Sequence, residues 1–187
     1  MKLQEDPYGK PGVCIPYKQY GRNNVSFPAE AYISGPINVE GLLKLAEIIE
    51  RFDTDRAVIP VAKFDLGSWV GVKYNGLHPF CDKRDDPRIL FTDLVADNAE
   101  VVRAHKCETT ACAIGFGTLH PYFRRRGLTT AHALSKYLLC SNYGLEGYLF
   151  MKSSYAPTHR GRKEVVARIR KVVALYERHK DQLQAAA

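Results

Sequence analysis

The sequence predicts a mainly helical α+β fold: a single globular domain over residues 37–187 with a small β-hairpin or sheet, preceded by an extended arm over residues 1–36. Three observations lead there. Apolar residues recur at helical spacing around residues 38–53, 128–140 and 162–184. The middle of the chain carries short β-branched runs and an Asn75-Gly76 dipeptide. The first 36 residues are crowded with prolines and glycines.

The chain has 187 residues, enough for one domain with a buried core. An apolar fraction of 45% and a charged fraction of 25% are ordinary for globular proteins and argue against wholesale disorder. No run approaches the roughly 18 apolar residues that span a bilayer. Met1-Lys2-Leu3-Gln4-Glu5-Asp6 is too polar for an export signal, so a soluble cytoplasmic protein with no membrane partner is expected. Five cysteines, Cys14, Cys81, Cys107, Cys112 and Cys140, are an odd number without framework spacing, which points to reduced thiols.

Taken in order, Pro7, Gly9, Pro11, Gly12, Pro16, Gly21, Pro28 and Pro36 forbid a long helix at the start. Val13, Ile15, Ile33 and the local tyrosines are expected along the domain surface, with docking of the arm onto another subunit as the alternative. Asn38 can cap a helix in which Leu42, Leu45, Ile49 and Phe52 form one face. Pro60 limits AVIPVAKF to an edge or irregular segment. Val70 to Tyr74 and the following Asn75-Gly76 suggest a hairpin, whereas the run from Ile89 to Cys107 reads as two short strands or a helix.

In CETTACAIGFGTLHPYFRRRG, Thr109 or Thr110 is expected to cap a helix with Cys112 in its first turn. A second helix follows over 128–140, capped by Thr129 or Thr130, with Leu134, Tyr137 and Leu138 on its buried side and Asn142 and Gly144 ending it. GYLFMKSSYAPTHR reads as a connector. The last helix should run from about Arg162 to about Gln184, with Val165, Ile169, Val172 and Tyr176 in its buried stripe and Arg168 paired to Glu164.

The order of these pieces resembles an uncharacterised family of small bacterial and phage proteins. The likeness rests on Phe64, Asp65 and Trp69; on Cys107, Thr109, Ala111, Cys112, Ala113 and Gly115, which match a Cys-Gly-Thr-x-Ala-Cys-x-x-Gly helix start; on Leu149 and Phe150; and on Ala167, Arg168 and Ile169. Glu108 stands where that family has glycine, and Phe116 where it often has tryptophan or histidine. The resemblance implies a fold and a bacterial or phage setting, but no reaction.

Candidate sites can be ranked by chemistry. A thiol near a helix start is favoured as thiolate, so Cys107 or Cys112 could serve as nucleophile with His105, His120 or His132 as base. The same residues suit packing, because alanine, glycine and cysteine let a neighbouring element approach closely, and packing is the leading expectation. His78, Cys81, His105, Cys107, Cys112 and His120 supply enough ligand types for zinc, yet no Cys-x-x-Cys pair is present. No phosphate-binding glycine loop is present either, and no cofactor is expected.

The remaining signal is basic. A formal charge of +7 favours an anionic partner. Arg124, Arg125 and Arg126 follow the cysteine segment, and Arg160, Arg162, Lys163, Arg168, Arg170 and Lys171 crowd the end of the chain. Tyr122, Phe123 and Tyr155 lie close enough in sequence to suggest base stacking beside phosphate contacts. The leading expectation is therefore a small non-enzymatic accessory protein that binds another macromolecule, nucleic acid or a protein subunit, through Tyr122 and these cations. A cysteine-dependent enzyme and an assembly component using the arm are the alternatives.

Overall fold

The computed structural model describes residues 3–21, 25–53, 63–64, 66, 70–72, 109–140, 142–156, 158 and 161–186. They form a mainly helical α+β domain whose described elements include six helices and two three-stranded sheets. Three or four helices were expected. The additional ones are short, four and six residues, below the length at which apolar periodicity becomes visible.

The breaker-rich start is a β-hairpin. Strand β1 (Gln4–Glu5) pairs with β2 (Pro11–Tyr20), which pairs antiparallel with β3 (Ser26–Ile33) from Val13 opposite Ile33 to Tyr20 opposite Ser26. Val13, Ile15 and Ile33, expected along the surface, are instead no more than 1% exposed and belong to the core. Alternation explains it: Val13, Ile15, Ala31 and Ile33 share one face of the pleat, and that face packs inward.

The prolines fit because of the register. The closing bond from Gly21 N–H to the Val25 carbonyl, 2.9 Å, sets the alternation of bonded and non-bonded pairs. Pro16 and Pro28 then fall on non-bonded pairs, where an amide would point away from the partner strand. Tyr32 occupies an equivalent outward position and donates its N–H to the Tyr143 carbonyl at 2.9 Å. Before β2, the buried Asp6 carboxylate accepts from Tyr8 N–H and Lys10 N–H, both at 2.9 Å, and from Ser34 Oγ at 2.7 Å. Burial opposes its charge, but these hydrogen bonds outweigh burial and hold the carboxyl below its ordinary pKa.

Helix α1 (Val39–Glu50) starts as its sequence dictates: Asn38 Oδ1 accepts from Gly41 N–H at 2.8 Å. Leu42, Leu45, Ile49 and Phe52 are buried. Gly41 carries a packing role, since a Cβ there would lie 2.8 Å from Leu138 Cδ2.

Between α1 and the cysteine segment lies a small sheet in the order β4 (Lys63–Phe64), β6 (Thr109–Ala111), β5 (Val70–Val72), with β4 parallel and β5 antiparallel to β6. The expected strand at Val70 is therefore present and pairs with Thr109–Ala111. Asn75, Gly76 and the run from Ile89 to Cys107 lie outside the described residues. Thr109 and Thr110 serve in the strand rather than as caps. β-Branched residues suit a pleated strand, and two neighbouring strands take up the backbone here.

Helix α2 (Ala113–Leu119) consequently starts later than expected, with Cys112 as N-cap residue. Every residue of α2 is buried. The Phe116 ring packs edge-on against Phe52 and Phe64, with centroids 4.8 and 5.4 Å away, and a Cβ on Gly117 would overlap Leu134 Cδ2 and come within 3.2 Å of Leu45 Cδ1. Helix α3 (Pro121–Arg124) follows at once, with His120 as its N-cap.

Helix α4 (Ala131–Leu139) is capped by Thr130, whose Oγ1 accepts from Ala133 N–H at 3.2 Å. Asn142 then joins three segments. Its Oδ1 accepts from Ser34 and Gly35 N–H at 2.8 and 2.9 Å, and its Nδ2 donates to the Leu139 and Pro36 carbonyls at 2.7 and 3.0 Å. Gly144 takes φ +66°, and a Cβ there would sit 2.7 Å from the Glu30 carbonyl oxygen, so glycine is required by both conformation and contact.

The expected connector contains helix α5 (Leu145–Phe150) and a 3-10 turn (Lys152–Ser154). Helix α6 (Arg162–Ala185) closes the fold against α1, burying Val165, Val166, Ile169, Val172 and Val173. Arg168, expected to pair with Glu164, turns toward the 148–155 segment. Its Nη1 donates to the Tyr148 carbonyl at 2.6 Å and to Ser154 Oγ at 3.1 Å, and its Nη2 donates to the Ser154 carbonyl at 2.6 Å. The guanidinium also stacks 3.7 Å from the Tyr155 ring and 4.6 Å from the Tyr148 ring.

Candidate functional site

The cysteine segment places its one described thiol in the core. Cys112 is 4% exposed, and its side chain makes no capping hydrogen bond to α2. A sulfur this buried is shielded from solvent. His120 Nδ1 accepts from Tyr122 N–H at 3.1 Å, which commits that nitrogen to capping α3. His132 is exposed on α4. His78, Cys81, His105, Cys107 and Arg160 lie outside the described residues, and among the described residues no three His, Cys, Asp or Glu side chains are grouped to hold a metal ion.

The other described cysteines, Cys14 and Cys140, carry thiols rather than disulfides. Burial pushes the Cys14 thiol up, and the Glu30 charge adds to this against a hydrogen bond with Tyr32. Cys140 is exposed at the end of α4 with φ +52°.

The basic residues gather around α1. At its first turn, Tyr122 of α3 donates its hydroxyl to Glu40 Oε1 at 2.7 Å. That acceptor raises the phenol pKa and keeps the proton on oxygen. Arg126 folds back so that Nη1 donates to the Tyr122 carbonyl at 2.7 Å and the guanidinium lies 3.8 Å from the ring centroid, while Lys44 Nζ approaches the same ring at 5.7 Å. At the last turn, Arg170 of α6 meets Glu50 Oε2 at 2.7 Å. Lys44 and Arg51 both hold Glu47, at 2.8 and 3.2 Å. The two ends are ten residues apart, about 15 Å along the helix axis.

This geometry changes what the aromatic residues can do. The Tyr122 ring is engaged by two cations and by Phe123, 5.0 Å away edge-on. Phe123 and Tyr155 are at most 1% exposed. None of the three is a platform for a base. Arg168 is likewise occupied inside the fold, and Arg162 lies 5.1 Å over the Phe52 ring.

The exposed cations remain. Lys163, Arg170, Lys171 and Arg178 share one side of α6 with Ala167 and Ala174, all exposed; Glu177, paired with Lys180, lies at its edge and Asp181 ends it. Arg125 is exposed at the end of α3. Arg178 and Lys44 escaped the run-based reading of the sequence. Projecting residues 162–185 onto a helix would have found Arg178, seven residues beyond Lys171; Lys44 is recruited only through tertiary contact with Tyr122.

No family model matches the chain, and no curated protein or solved structure matches it. Among the described residues, no helix is long and apolar enough to cross a membrane.

Proposed function

We propose that the chain is a small non-enzymatic accessory protein that binds another macromolecule, a polyanion, through its basic surface. One observation carries this reading: Tyr122–Glu40 and Arg170–Glu50, both 2.7 Å, tie the two runs of cations to the two ends of a single helix. Segments far apart in sequence are thereby brought to the two ends of α1. Of the acids on α1, Glu47 and Glu50 are ion-paired with Lys44, Arg51 and Arg170 and Glu40 accepts from the Tyr122 hydroxyl, while the chain as a whole keeps an excess of seven positive charges.

The bacterial or phage setting of this proposal comes from the motif resemblance. The burial of Cys112 supports the non-enzymatic part of the reading. The hairpin also exposes Val25 and Phe27, 53% and 55%, but nothing adjoining them identifies a partner.

Fluorescence anisotropy of the full chain with labelled nucleic acid tests the reading. Binding is expected at about 50 mM salt, with affinity falling roughly a hundredfold by about 200 mM, as release of counterions by some four cations requires. Absence of binding at the lower salt, or affinity indifferent to salt, would remove it.

A further inference from the structure

We infer that the exposed side of α6 is a contact surface for the phosphate backbone of a nucleic-acid duplex, recognised without base readout. This rests on the polyanion-binding reading above and specifies its partner.

Charge and shape both favour this partner. Lys163, Arg170, Lys171 and Arg178 lie on one side of an uninterrupted 24-residue helix. Between them on that side Ala167 and Ala174 add no bulk, and Glu177 at its edge, two turns beyond Arg170, is ion-paired to Lys180 at 2.9 Å. The side chains of Lys163, Lys171 and Arg178 make no hydrogen bond or ion pair among the described residues. Arg170 pairs with Glu50, yet its side chain stays 58% exposed. Lys163 to Arg178 spans fifteen residues, about 22 Å. At about 3.4 Å of axis per phosphate of one strand, that length faces six or seven phosphates, more than enough for four cations.

Among the described residues of α6, the surface offers no exposed ring for stacking. Binding of single strands draws much of its affinity from bases stacked on exposed aromatic rings. On α6 the only aromatic residue is Tyr176, partly buried and packed against the core. Phe52, beside Arg162, is 3% exposed, and the Tyr122 ring is engaged by Arg126 and Lys44. Cations at fixed intervals along a rigid helix, with no ring to stack on, match a stiff duplex rather than a flexible strand. The cations are assigned to phosphates, and such contacts position the chain on the backbone and carry no sequence information.

The test compares the full chain with the Lys163→Ala, Lys171→Ala, Arg178→Ala triple variant. All three positions are exposed, so circular dichroism should show the fold unchanged. Probes are three DNA duplexes of unrelated sequence and about 20 base pairs, an RNA duplex, and a single strand of equal length. The parent should bind the DNA duplexes with affinities within about threefold of one another and the single strand more weakly. The triple variant should show a log affinity against log salt slope shallower by about 2.7, near 0.9 for each lost cation. A preference between DNA and RNA duplexes identifies the source and agrees with the inference. An unchanged slope in the variant, a tenfold spread among the DNA sequences, or tighter binding of the single strand would overturn it while leaving polyanion binding intact. Failure to bind any probe at low salt would sink both.

Discussion

Arg168 connects three parts of the fold through one planar group. Its donors reach the carbonyls of Tyr148 and Ser154, and its face covers Tyr155, whose own hydroxyl donates to the Leu149 carbonyl at 2.5 Å. Lysine keeps the charge but loses the fork and the stacking plane. Arg168→Met should destabilise the protein by about 2–3 kcal/mol in urea denaturation, because it strands two carbonyls and removes charge-assisted hydrogen bonds. Arg168→Lys should recover only part of that loss, and a cost below about 0.5 kcal/mol for Met would contradict the assignment. Sequence spacing pointed Arg168 at Glu164, a relation the i to i+4 rule can see. The carbonyls at Tyr148 and Ser154 are 20 and 14 residues away, and nothing local announces them.

Helix α2 shows how packing selects residues along an element. Buried on all sides, it needs small residues where other helices cross, and Gly117 lies against Leu134 and Leu45, both fully buried and unable to give way. Gly117→Val should cost about 2–3 kcal/mol through overpacking. Ala167→Val, on the exposed side of α6, should stay within about 0.5 kcal/mol of the parent by the same denaturation measurement. Among the elements, α1, α4 and α6 were legible because each combines a long apolar period with a boundary signal, and two of them have the side-chain caps the sequence offered, Asn38 and Thr130. The start of α2 was not. Thr109 and Thr110 satisfy cap and strand signals equally, and the choice was made by pairing with β4 and β5, which local sequence does not encode. The hairpin was hidden for a related reason: Pro16 and Pro28 count as breakers until the register places them on outward positions.

For the whole molecule, the described residues separate an interior that holds Cys112, Ala113 and Gly115 of the distinctive motif from an exterior that carries cations. Of the candidate site, the basic runs were legible because charge is a property of composition, whereas the engagement of Tyr122 and the burial of Tyr155 emerge only from tertiary contact. The claim on which this division depends is that the Cys112 sulfur is packing material, reached by solvent only when the domain opens. Thiol labelling of the native full chain near neutral pH, read residue by residue by peptide mass spectrometry, tests it most directly. Cys140 is exposed and should label at the rate of an open thiol, with Cys112 at least about a thousandfold slower, as global opening of a stable domain requires. Labelling of Cys112 within about tenfold of Cys140 would contradict the account and return the motif to chemistry.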